Sequence, residues 1–159
     1  MGAVTPRTVR LPTAADTQDL GARLAGVLRR GDLLVLSGPL GAGKTALVQG
    51  VGRGLGVEGR VASPTFVIAR VHEAGRPDGL PLVHVDAYRL GSLDEVDDLD
   101  LDVDAASVVT AVEWGHGLVE QLADAHLEIE LDRSSDTEER MATLRPHGGD
   151  WAERLESIA

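Results

Sequence analysis

The chain has 159 residues, 19 of them glycine and none cysteine, with a formal net charge of −11. That length suits one domain with its own core, and without cysteine there is neither a disulfide framework nor a thiolate metal site. No stretch approaches the ~18 apolar residues of a membrane span, residues 1–13 lack an apolar leader, and no Lys/Arg-rich run offers nucleic acid a basic face; the expectation is a soluble cytoplasmic protein with protein partners and no membrane.

Residues 1–7 carry no pattern and are expected to fray. Thr8–Leu11 alternates as an edge strand does. Thr13 or Asp16 caps a helix that is expected to run through Arg29, with Leu20, Leu24, Val27 and Leu28 as its apolar stripe. Gly31-Asp32 turns the chain into Leu33–Leu36, a short apolar run of the kind a buried parallel strand has. A second helix is predicted over Lys44–Leu55 from the spacing of Leu47, Val48, Val51 and Leu55. Its Gly50, Gly52 and Gly54 lower helix propensity, so packing must compensate or the helix ends early.

Beyond the loop Gly56–Arg60, Val67–His72 and Leu82–Tyr88 flank the turn-rich Gly75–Pro81 and read as an antiparallel hairpin. Ser92–Asp104 holds seven acidic residues between Asp94 and Asp104. Ser92 and Glu95 have capping-box spacing; the segment lacks the Gly and terminal Glu of an EF-hand loop, and reads as a solvated helix and loop. Val108–Val112 is a buried strand ending at Glu113. Leu118–Leu122 is a short helix, Leu127–Leu131 and Arg140–Leu144 form a C-terminal hairpin, and Trp151, Leu155 and Ile158 mark the stripe of a last helix. The expected architecture is α/β: a single domain over residues 1–159, three-layer α-β-α, whose mixed sheet has a parallel core extended by antiparallel hairpins.

Between the apolar run and the second helix lies Gly38-Pro39-Leu40-Gly41-Ala42-Gly43-Lys44-Thr45, which fits the P-loop pattern G-x-x-x-x-G-K-[ST], so the expected α/β domain is a P-loop NTPase. The glycines let backbone N–H groups turn inward around phosphate oxygens, and the following helix aims its positive end at the same anion. Residues Gly38, Leu40, Gly41, Ala42, Gly43, Lys44, Thr45 and Ala46 are the candidate phosphate cradle. Lys44 would reach the β- and γ-phosphates and the Thr45 hydroxyl would ligate Mg²⁺. Lys44 is the only lysine among fifteen Lys and Arg residues, placed where a compact ammonium suits phosphate.

Such a loop needs a carboxylate at the end of a neighbouring strand. Asp86 follows Leu82-Val83-His84-Val85, an apolar run in which His84 is the flaw, and Glu113 follows Val108–Val112. Asp86 is assigned to the Mg²⁺ shell, and Glu113 to that shell or to the attacking water. Thr65, in Ser63-Pro64-Thr65-Phe66, fits a γ-phosphate-sensing switch or an ordinary turn at a strand start. Trp114 lies against the nucleotide or in the core, and Arg89 meets transferred charge, a partner or solvent. The five histidines have no ligand-like spacing and are read as structural.

SGPLGAGKT, SPTF, HVDAYRL and VEWG, in this order and spacing, resemble the TsaE (YjeE) family over about residues 8–146. The resemblance implies a small bacterial ATPase that binds ATP or ADP with Mg²⁺ and hydrolyses ATP slowly. It would associate with TsaD and TsaB in forming N6-threonylcarbamoyladenosine at position 37 of tRNAs that read codons starting with A, and it would meet tRNA only through those partners. By motif, the resemblance makes Lys44 and Thr45 the phosphate and Mg²⁺ residues, Asp86 and Glu113 the acids, Trp114 their neighbour, Thr65 part of the switch-like loop and Arg89 the arginine of YRL. Many relatives carry an acidic residue where this chain has Pro39.

The alternatives are a small P-loop kinase and a nucleotide-dependent scaffold that does not turn over. Between Trp114 and Leu127 there is no room for the arginine-rich lid of such kinases. A GTPase reads guanine with N-K-x-D, and this chain has no Asn and no second Lys.

Overall fold

The computed structural model describes residues 6–38, 43–57, 69–75, 79–86, 107–113, 125–133 and 139–158. Seven strands form one sheet: β1 (Arg7–Leu11), β2 (Leu33–Ser37), β3 (Ala69–His72), β4 (Leu82–Asp86), β5 (Val109–Glu113), β6 (His126–Arg133) and β7 (Arg140–His147). Their order is β1-β7-β6-β2-β5-β4-β3. β2 pairs in parallel with β5 and β6, and β5 pairs in parallel with β4. The other pairings, β3 with β4, β6 with β7 and β1 with β7, are antiparallel. The expected mixed sheet, a parallel core extended by hairpins, is therefore what the chain forms, and Thr8–Leu11 lies on an edge strand as anticipated.

β2 stands at the centre of this order. Its four apolar residues Leu33, Leu34, Val35 and Leu36 are all buried, as a strand covered on both faces must be. One hydrophobic cluster joins Leu34, Leu36, Ala111, Leu127, Ile129 and Leu144 of the sheet to helices α1 (Ala14–Ala25) and α2 (Lys44–Leu55). Val35, Val83, Val85 and Val112, which alternate with these along their strands, are buried as well.

Thr13, not Asp16, is the cap of α1. Its hydroxyl accepts the Asp16 N–H, and the Asp16 carboxylate accepts the Thr13 N–H at 2.9 Å, a reciprocal capping box. The helix does not continue through Arg29. It stops at Ala25, capped by Gly26, and two tight turns follow, in which Val27 donates to the Leu24 carbonyl and Leu28 to that of Ala25. Leu28 stays buried in these turns, so the apolar spacing persists while the backbone leaves the helix. The Arg29 N–H is taken instead by the Asp32 carboxylate at 2.5 Å.

Two of the glycines of α2, Gly50 and Gly54, are where α1 crosses it. A Cβ at Gly50 would lie 1.9 Å from the Gln18 carbonyl oxygen, and one at Gly54 would lie 2.6 Å from the Ala25 Cβ. From the other side, a Cβ at Gly21 would lie 2.2 Å from the Leu47 carbonyl oxygen. Low helix propensity at these positions is offset by backbone-to-backbone contact that any side chain would prevent. The helix keeps its full length, Lys44–Leu55, as its apolar spacing predicts.

The C-terminal hairpin is β6–β7, and β6 sits directly beside the central β2. The last helix proves to be one α-turn, Trp151–Arg154, followed by a 3₁₀ turn, Leu155–Ser157. Trp151, Leu155 and Ile158 are buried as their spacing requires. Arg154 ties this end to the turn before β2, donating to the Asp32 carboxylate at 2.6 Å and the Asp150 carboxylate at 2.9 Å. The acidic segment 92–104, the expected helix 118–122, and residues 67, 68, 87 and 88 of the expected strands lie outside the described residues. No helix among the described residues is long and apolar enough to cross a membrane.

Candidate functional site

The site is built where β2 gives way to α2. β2 ends at Ser37, and the next residue, Gly38, has φ 140°; Gly43, which starts α2, has φ 100°. Both values lie where a side chain is strained, so the loop is entered and left through glycine. Leu40, Gly41 and Ala42 lie outside the described residues. Gly43 caps α2 with no side-chain hydrogen bond, and the first turn contains no acid. Helix geometry leaves the N–H groups of the first turn without intrahelical acceptors. Thr45 and Ala46 stand in that turn, partly exposed, beside buried Lys44. A helix start without a side-chain cap, its positive end and a cation together suit an anion.

Lys44 is only 6% exposed. Its Nζ donates to the Gly38 carbonyl oxygen at 2.6 Å, so the ammonium is held across the mouth of the loop by a charge-assisted bond. Behind it, buried Thr17 of α1 sets its methyl 3.6 Å from where a Cβ on Gly43 would lie. The sequence reading took no account of this support from α1, and Thr17 carries no local signal that would reveal it.

The acids come from the strands flanking β2 on one side. Leu36 is opposite Glu113 across β2 and β5, and Glu113 is opposite Asp86 across β5 and β4. The three stand in one row at the carboxyl ends of three parallel strands, where ligands of α/β sheets bind. Residues opposite one another share a face, which is the face packed by the helices through Leu34, Leu36 and Ala111. Asp86 is placed by its backbone; its side chain lies outside the described atoms.

Glu113 is 7% exposed, and its partner is His84, which has no exposed surface. The His84 Nε2 and the Glu113 Oε2 are 2.5 Å apart. The sequence reading treated His84 as a flaw in an apolar strand. The signal was present: His84 stands two residues before Asp86, and so shares its face.

A hydroxyl from Thr45 and carboxylates from Asp86 and Glu113 are hard oxygen donors of the kind Mg²⁺ takes, in the small number it uses when phosphates complete its shell. A buried carboxylate beside the phosphate loop, held by a single histidine, fits such a site. Among the described residues no cluster of three or more His, Asp and Glu side chains could hold a metal by itself. Thr65, Arg89 and Trp114 lie outside the described residues. Of the other histidines, His126 and His147 stack with ring centroids 4.5 Å apart, and His147 meets Glu128 at 3.2 Å, on the far hairpin.

A family model described as "Threonylcarbamoyl adenosine biosynthesis protein TsaE" matches residues 11–142. The chain is 58% identical over 139 residues to the tRNA threonylcarbamoyladenosine biosynthesis protein TsaE of Streptomyces coelicolor, covering 85% of this chain and 93% of that one. It is 39% identical to the protein of the same name from Bacillus subtilis, covering 91% and 88% of the two chains. A crystal structure of Bacillus subtilis YdiB superposes with a TM-score of 0.77 at 32% identity, covering 99% of this chain and 97% of that one. The glycine-bounded loop, the row of strand-end acids and these likenesses along nearly the whole chain agree, and the chain belongs to the TsaE family of P-loop proteins of threonylcarbamoyl adenosine biosynthesis.

Proposed function

We propose that the chain is a Mg²⁺-dependent ATPase that supports the TsaD–TsaB machinery forming N6-threonylcarbamoyladenosine at position 37 of tRNAs that read codons starting with A. The observation that carries the phosphate chemistry is the junction itself. Uncapped α2 opens directly from central β2, Lys44 spans the loop, and Glu113 and Asp86 end the next two parallel strands. The absence of N-K-x-D favours adenine over guanine. The names of the relatives supply the pathway. The net charge of −11 favours a protein partner over tRNA held directly.

In this reading, the first-turn N–H groups of α2 and the loop amides hold the β- and γ-phosphates, and Lys44 places a positive charge against them. Thr45, Asp86 and Glu113 would hold Mg²⁺, which neutralises phosphate charge when bound. In place of a Mg²⁺ ligand, Glu113 would be the carboxylate that orients water for attack on the γ-phosphorus. Thr65 and Trp114 are assigned to the γ-phosphate switch and to the nucleotide's surroundings.

The purified chain is expected to hydrolyse Mg·ATP slowly. With TsaD, TsaB, threonylcarbamoyl-AMP and tRNA it should make modification proceed through repeated turnovers that need ATP. If omitting the chain, or replacing it by the Lys44→Ala variant, leaves multiple turnover unchanged, the proposal fails.

A further inference from the structure

We infer that His84 is a positioning residue for Glu113: its Nε2–H holds one carboxylate oxygen and thereby aims the other at the phosphate site. The inference rests on the proposed role of Glu113 in ATP hydrolysis and goes beyond it, since no motif of the sequence reading gives His84 a role.

β4 is otherwise apolar where its side chains are described. Leu82, Val83 and Val85 are at most 2% exposed, and His84 has no exposed surface at all. A ring with two polar nitrogens in such a slot needs a partner. It has one, the Glu113 Oε2 at 2.5 Å. The route is diagonal. His84 is opposite Ala111 and Glu113 is opposite Asp86, and the methyl of Ala111 leaves room for the imidazole to lean along the strand toward Glu113.

A carboxylate only accepts hydrogen bonds, so the ring nitrogen that meets it carries the hydrogen. The other nitrogen, Nδ1, is buried and has no partner among the described residues. The hydrogen-bonding of the ring is thus spent on Glu113. The long Glu113 side chain, which would otherwise sample several rotamers, is fixed at the end of β5. With one lone pair of Oε2 engaged by His84, Oε1 is the oxygen that Glu113 presents first to the nucleotide, as a ligand or a water-orienting group. A group that holds a ligating or reacting carboxylate in this way typically governs activity about ten- to hundredfold.

The test compares His84→Gln, which keeps an N–H donor at the reach of Nε2, with His84→Met, which has similar length and no donor. His84→Met should lower kcat about tenfold or more, with KM and calorimetric ADP affinity within about twofold of the parent, and His84→Gln should recover most of the loss. Added to Glu113→Gln, His84→Met should lower kcat no further. Histidine ¹⁵N spectra of the unmutated, nucleotide-free chain should show His84 protonated at Nε2, with that proton shifted downfield and losing its shift in Glu113→Gln. This readout holds even if His84→Met fails to fold. An Nδ1–H tautomer, an unchanged kcat in His84→Met, equal losses in the Gln and Met variants, or a further loss on the Glu113→Gln background would overturn the inference. If Glu113→Gln itself hydrolyses ATP normally, the proposed role of Glu113 falls, and the inference with it. An impaired Glu113→Gln beside an unimpaired His84→Met refutes the positioning role alone.

Discussion

Lys44 and Gly38 close the phosphate loop on itself, with the lysine Nζ donating to the glycine carbonyl oxygen across 2.6 Å. One of three ammonium donors is thereby fixed to the rim, which orients the remaining two. Lys44→Ala removes the buried charge proposed to meet phosphate, and ATP affinity should fall about ten- to hundredfold, from the ~1.5–3 kcal/mol of a charge-assisted bond. Lys44→Arg should not restore it, because a planar fork does not fit where a point charge sits. Calorimetric titration with ATP checks both, and the nucleotide-free melting temperature should change little.

Gly50 sets how closely α1 and α2 approach. Gly50→Ala would place a methyl 1.9 Å from the Gln18 carbonyl oxygen, and backbone cannot move aside as a flexible side chain does. Overpacking of this kind costs about 1–3 kcal/mol, despite the better helix propensity of alanine. Urea unfolding should show that loss. Gly26→Ala serves as a control: Gly26 has φ −67°, and its added methyl would meet only the Arg23 carbonyl oxygen, at 3.3 Å. It should be much milder.

Arg154 secures the turn from which β2 starts. Arg154 and Asp32 expose only 11% and 8% of their side chains and meet at 2.6 Å. Arg154→Ala leaves the Asp32 carboxylate buried with the Arg29 N–H as its remaining bond. Breaking a buried pair from one side costs about 3–5 kcal/mol, and Arg154 also stacks on the Trp151 ring at 4.2 Å. Chemical denaturation should place this variant well below Asp150→Asn, because Asp150 and its other partner, Arg29, are far more exposed than Asp32.

Asp150 makes stability depend on acid. Partial burial pushes its carboxyl upward, but hydrogen bonds from Arg154 and Arg29, together with their charges, outweigh this and hold it below its ordinary 3.8. A carboxyl depressed in the fold contributes stability that is fully present above its unfolded value and is lost as pH falls through the lower folded value. The melting temperature of the unmutated chain should therefore exceed that of Asp150→Asn at neutral pH, and the gap should narrow as pH falls below the ordinary 3.8 and through the lower folded value. A gap that stays constant across that range would contradict the assignment.

Much of this could be read from residue spacing. The run Leu33–Leu36 and the stripe Leu47, Val48, Val51, Leu55 dictate strand and helix by local rules, and both form where expected. Asp86 and Glu113 were legible as strand-end acids because the apolar runs before them are short and clear. The end of α1 was not, because Leu28 keeps helical spacing although the backbone has already turned at Gly26. Gly50 and Gly54 of α2 looked like a local liability, and only the crossing with α1 explains them. His84 was missed for a related reason: its bond to Glu113 joins two strands far apart in sequence, and single-strand periodicity carries no sign of it.

The central position of β2 bears on how the chain is made. Every strand that pairs with β2 comes late: Val35 is opposite Val112 on one side and Glu128 on the other. Emerging from the ribosome, the phosphate loop has its helix at hand and no sheet to stand on. Contacts between distant segments form slowly and only once both are present. A nascent chain that ends before β5 thus carries the phosphate-loop motif without the strands that shape it, and a nucleotide has no completed site until β5 and β6 are in place.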